Sequence, residues 1–69
     1  MATARELREL SIEDLKRRAE ETRATLFQDR MKMRTGTLDN PHERTAHKRE
    51  LARILGVLTE KERAARAAR

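Results

Sequence analysis

Sixty-nine residues and 8.1 kDa allow one small domain, and 42% charged against 36% hydrophobic residues, with one Phe and no Tyr or Trp, argue against a self-sufficient enzyme with a buried pocket; below roughly 70–80 residues a lone core supplies only ~3–5 kcal/mol. Seventeen Lys and Arg against twelve Asp and Glu leave a net charge of +5 and a pI near 10.7, a sign that attracts polyanions, nucleic acid before an anionic membrane. Cysteine is absent, which removes disulfides, thiolate metal sites and thiol nucleophiles, and neither a bilayer-spanning run nor a signal-peptide stretch is visible, so a soluble cytoplasmic chain is expected.

No stretch alternates β-branched residues with period two, so the expected class is all-α. In chain order, Thr3-Ala4-Arg5-Glu6 is a candidate capping box that opens a short N-terminal helical turn within residues 1–10, carrying Leu7 and Leu10. Ser11-Ile12-Glu13-Asp14 is a second box, with Asp in place of the usual Glu, and Leu10 with Leu15 forms a hydrophobic staple across it. It starts a long helix over 11–35, whose last turn holds Lys32 and Arg34 against the negative end of the dipole. Gly36 supplies the left-handed residue that ends this helix, and residues 36–40 form the connection. Asn40 caps the next helix, Pro41 sits where its missing N–H is harmless, and Glu43 completes an Asn-x-x-Glu box. The second long helix covers 41–65 and leaves a basic tail at 66–69. A connection this short dictates a long antiparallel two-helix hairpin, a single domain.

At 100° per residue, Ile12, Leu15, Ala19, Thr22, Leu26 and Met33 share one stripe of the first long helix. His47, Leu51, Ile54, Leu55, Leu58 and Ala65 share one on the second, and the two stripes zip together. His47 reads as a packing histidine, since a metal site needs companions and His42 lies on another face. Ala24, Phe27 and Met31 form a narrower stripe displaced by roughly 100°. It is either the edge of the core wrapping sideways or a docking strip, for another protein or for the N-terminal turn.

The outer face of the second helix carries Thr45, Arg49, Ala52, Arg53 and Gly56, with Lys48 beside them. Arginine forks match phosphate oxygens bidentately. A glycine costs up to ~1 kcal/mol inside a helix, so Gly56 needs a reason, and close approach of a partner backbone is one. A plain solvated face is the competing account. It would more naturally hold Glu and Lys.

Leu26-Phe27 in a long helix, then Thr35-Gly36, Leu38, Asn40-Pro41, Arg44, Lys48-Arg49, Leu51-Ala52-Arg53-Ile54 and Val57-Leu58 resemble the bacterial form of the large-subunit ribosomal protein twenty-nine family. Glu6-Leu7-Arg8, Leu10-Ser11, Glu13 and Leu15 fit the family's opening, so the resemblance spans about residues 4 to 62. The chain departs at Met31-Lys32, where members commonly carry Phe-Gln, and in the Ala/Arg tail after Lys61. The resemblance implies a structural constituent of the large ribosomal subunit, bound to its RNA near the nascent-chain tunnel exit. It implies large-subunit protein twenty-three as a neighbour, with chaperones or targeting factors visiting. By position, the implied RNA contacts are Lys32, Arg34, Thr35, Gly36, Asn40, Arg44, Lys48, Arg49 and Arg53. Phe27 and Met31 are the candidate protein contacts.

Such a protein needs no base readout, because folded RNA is recognised through shape, phosphates and 2′-hydroxyls. The near-absence of aromatics speaks against single-strand stacking modules. The alternative is a helical interaction module that dimerises into a four-helix bundle. A membrane binder is disfavoured because the hairpin already uses the apolar stripe, and a helix-turn-helix DNA reader wants short helices about a tight turn. No catalytic residue, metal site, cofactor or small-molecule substrate is expected. Ser11 is the only serine and is needed as a cap, and neither histidine has a positioned acid or nucleophile.

Overall fold

The computed structural model describes residues 3–37 and 40–68. Met1 and Ala2 of the expected N-terminal turn, Leu38 and Asp39 of the connection, and Arg69 of the tail lie outside the described residues. Three helices follow one another, α1 (Ala4–Arg8), α2 (Ile12–Thr35) and α3 (Pro41–Ala67), with no strand among the described residues. The two long helices run antiparallel as a rod of 50 × 17 × 14 Å. Its radius of gyration is 14.2 Å, where a compact domain of this length would measure about 11 Å.

Each helix begins and ends where its sequence signals lie. Thr3 accepts the Glu6 amide at 3.2 Å, and Ser11 Oγ accepts the Asp14 amide at 3.1 Å. Asp14 pairs with Arg17 at 3.8 Å rather than closing the box back onto Ser11. Gly36 takes φ 72° and ψ 18°, the left-handed region, and turns its N–H to Met33 O while Thr37 N–H reaches Lys32 O at 2.8 Å. That pair of bonds is a Schellman ending, which satisfies the last carbonyls of α2. Asn40 caps α3 by accepting from His42 N at 3.0 Å, with Pro41 in the first turn. α3 then runs to Ala67, two residues past the expected end.

The core is small and lies at one end. Leu7, Leu15, Ala19, Ile54, Val57 and Leu58 are buried, and Ala4, Leu10, Ile12, Leu51 and Leu55 pack around them. α1 is the third wall of this core: it packs on α3, and Leu7 is fully enclosed. The N-terminal turn therefore covers the Val57 side of α3, not the strip of Ala24, Phe27 and Met31. Val57 falls outside the expected seam because a two-helix packing leaves that side open.

Two expected seam residues are outside the core. Met33 is 48% exposed, because the α3 residues that would face it are the polar first turn around Pro41, His42 and Glu43. Ala65 is exposed because α2 begins only at Ile12, and α3 overshoots it. Periodicity repeats indefinitely; packing stops where the partner helix stops.

Candidate nucleic-acid interface

The tip of the hairpin differs from its base in kind. Every described residue from position 30 to position 37 is exposed, and this stretch carries Arg30, Lys32 and Arg34 with no acid. None of the three has a side-chain partner among the described residues. The last turn of α2 therefore presents three unneutralised cations at its carbonyl end, whose dipole they complement.

Thr35, Gly36 and Asn40 have identified tasks in shaping this tip. Thr35 Oγ1 lies 3.3 Å from Met31 O and 3.2 Å from Lys32 O, and it shares a hydrogen bond with the Thr37 hydroxyl at 2.9 Å. Gly36 turns the chain and Asn40 caps α3. These three end α2 and start α3, and the neighbouring cations supply the charge.

On α3 the four candidate cations split into two pairs. Arg44 and Lys48 are one turn apart on one flank, and Arg49 and Arg53 are one turn apart on the other; nine residues, from Arg44 to Arg53, amount to about 180° around the axis. Thr45, Ala52 and Gly56 form the outward strip between them, all exposed. Arg44 is half-buried and Lys48 and Arg49 are exposed, while Arg53 is half-buried and engaged within the chain. A Cβ on Gly56 would meet nothing within 4 Å, so no close approach inside this molecule accounts for the glycine.

Phe27 is 63% exposed and Met31 45% exposed, with Ala24 exposed beside them. This strip is not an edge of the core. A groove of about 300 Å³ beside it is lined by Arg23, Leu26, Phe27, Arg30 and Leu51. It is open, with no enclosed pocket for a small molecule.

One buried polar feature was absent from the expected set. Asp29 is only 3% exposed, and its Oδ2 lies 2.6 Å from His47 Nδ1. With the carboxylate ionised, Nδ1–H is the donor. Asp29 falls on the seam with Thr22 and Leu26 at spacings of seven and three, so its inward direction follows from the same wheel as its neighbours. His47 is the half-buried seam histidine the sequence suggests, and its partner is a carboxylate.

At the opposite end, Arg8 Nε bonds Glu60 Oε2 at 3.2 Å, tying α1 to α3 across the surface. The hydrogen bond and then the charge of each partner raise the Arg8 pKa and lower that of Glu60. No cluster of three or more metal-ligating side chains exists among the described residues, and no helix is long and apolar enough to cross a membrane.

Residues 5–61 match the family model described as ribosomal L29 protein. The large ribosomal subunit protein uL29 of Myxococcus xanthus is 67% identical over 64 residues, covering 93% of this chain and 94% of that protein. The uL29 proteins of Rubrobacter xylanophilus and Oleidesulfovibrio alaskensis are 47% and 48% identical over 58 residues, covering 84% of this chain and 87% and 94% of theirs. No solved structure matches the chain significantly.

Proposed function

The chain belongs to the ribosomal L29 protein family, structural constituents of the large ribosomal subunit and not enzymes, and from that premise we propose that it holds large-subunit ribosomal RNA through backbone contacts near the nascent-chain tunnel exit. The observation that carries this reading is the fully exposed stretch at residues 30–37, with no acid, three cations that have no side-chain partner among the described residues, and a left-handed cap that ends α2. Uncompensated charge beside the helix ends capped by Gly36 and Asn40 suits a phosphate surface. The two flanks of α3 extend it. A sugar–phosphate strand crossing the outward strip meets Lys48 on one side and Arg49 on the other.

The tunnel-exit position, the neighbouring large-subunit protein twenty-three, and visiting chaperones or targeting factors complete the proposal. Phe27 and Met31 are the side chains for a protein contact, since an aromatic ring 63% in water has nothing of its own chain to cover it. The ribosome places the protein in the cytoplasm. A solvent-accessible area of 5353 Å², against about 4,500 Å² for a compact monomer of this mass, supports a chain finished by its neighbours.

Crosslinking in lysate with sequencing of the bound RNA tests the reading: large-subunit ribosomal RNA is expected, and its absence sinks it. Binding of the purified chain to deproteinised large-subunit RNA then resolves the contacts. Arg49→Ala lowers the slope of log K against log salt by about one unit if it meets one phosphate. Phe27→Ala leaves that slope alone. A stable four-helix dimer indifferent to RNA would favour the interaction-module alternative.

A further inference from the structure

The six buried apolar side chains lie at residues 7–19 and 54–58, and none lies between Thr22 and Ile54. Half-buried Leu26 and Leu51 are the last apolar pair before the tip. Beyond them a side-chain hydrogen bond joins the two long helices, the bond of 2.6 Å between His47 Nδ1 and Asp29 Oδ2. We propose that Asp29 and His47 are the positioning residues of the tip: their bond closes the distal hairpin and thereby sets the register of Lys32, Arg34 and Arg44 toward the phosphate surface.

The chemistry favours a clasp over incidental packing. A carboxylate that is 3% exposed retains its burial only while hydrogen-bonded, because an unpaired buried charge would draw the helices apart to reach water. Across the seam His47 is its hydrogen-bond partner, and the half-buried cation one turn before it, Arg44, makes no ion pair with Asp29. Glu43 and Glu50 lie one turn either side of His47 on α3, both of the wrong sign, and Thr22 on α2 spends its hydroxyl on Arg18 O at 2.9 Å. Arg30 and Lys32, the nearest cations on α2, are exposed. Separating the helices at this point frees the last turn of α2 and the first of α3 together.

This proposal rests on the RNA-binding reading, and one set of variants separates the two. Amide hydrogen exchange of the full chain is read at residues 30–36 and 42–46 and, as internal control, at Leu15 and Ile54. His47→Ala leaves the buried carboxylate without its donor and should speed exchange at the tip by about 5- to 150-fold, with the control amides unchanged. Asp29→Ala should do less, because the remaining imidazole is already 29% exposed. The double variant Asp29→Leu with His47→Val, which replaces the pair by apolar side chains, should restore protection.

Deproteinised large-subunit RNA is the binding probe. His47→Ala should weaken binding and lower the salt slope, since displaced cations lose phosphate contacts, and the double variant should recover both. A loss of global stability alone would lower affinity with the slope intact. Unchanged tip exchange in His47→Ala overturns the clasp. Faster tip exchange with unaltered affinity and slope overturns the positioning role while leaving RNA binding in place. A wild-type chain that ignores RNA overturns the function on which the positioning claim rests, and the exchange data still show whether the pair closes the tip.

Discussion

The two ends of this rod are held by different physics. At the base, three helices meet over Leu7, Leu15, Ala19, Ile54, Val57 and Leu58. At the tip, two helices meet over one carboxylate and one imidazole, and residues 30–37 and 40–43 beyond them are exposed. Stability is concentrated where charge is more nearly balanced: residues 1–23 and 54–69 together hold ten basic and eight acidic groups. The segment 24–53, which contains the tip, holds seven against four. A surface proposed to receive RNA cannot also bury its own side chains. The separation lets the base keep the chain folded while the tip stays wet and charged.

The largest effect should come from the base. Leu7→Ala removes a fully enclosed side chain and should cost about 2–5 kcal/mol, which a core of this size cannot spare. Thermal and urea unfolding followed by circular dichroism should show loss of α2 and α3 together, not the detachment of a five-residue helix. If Leu7→Ala frees α1 and leaves the hairpin melting as before, the base is a two-helix core after all. The contrast drawn above would then weaken.

The next effect has the opposite sign. Gly56 occupies the outward face of α3 with open space over it, so Gly56→Ala should stabilise the free chain by roughly 0.5–1 kcal/mol. The same variant sharpens the account of the flanks. Weaker RNA binding from a more stable protein would mean that a strand lies close over the outward strip. Unchanged binding would mean that Lys48 and Arg49 reach phosphate without it.

What the sequence discloses about this fold follows the range of each interaction. Caps are local: Ser11, Gly36 and Asn40 act within a few residues of themselves, and their roles are legible from the residue type and its neighbours. The seam is legible only where both helices are present, which is why Leu15, Ala19, Ile54 and Leu58 lie inside and Met33 and Ala65 do not. Val57 is hidden because its cover comes from α1, a helix too short to announce its partner. Asp29 sits in plain view on the seam, seven residues after Thr22, but a charged residue is assigned outward until the histidine opposite is paired with it. The cations of the candidate interface are legible as residue types. Their division into two flanks needs the helix axis, and what they touch needs the partner.

The smallest effect belongs to the surface tie between Arg8 and Glu60, and its sign follows from the direction of each shift. Glu60 is held below its ordinary carboxyl range by the Arg8 hydrogen bond first and the guanidinium charge second. A group whose folded pKa is depressed stabilises the fold above its unfolded pKa, and that contribution is lost as pH falls through the folded value. Arg8, raised for the same reasons, stays protonated throughout, so the whole pH dependence of the pair resides in Glu60. Both side chains are more than half exposed, and water and salt screen most of the attraction. Glu60→Gln should therefore lower the melting temperature only slightly at neutral pH. The gap from wild type should close as the pH drops below the ordinary glutamate range, and molar salt should erase it at every pH. A gap that persists in acid would assign the loss to packing of α1 on α3, and the tie would then be part of the core's geometry rather than a charge interaction at its rim.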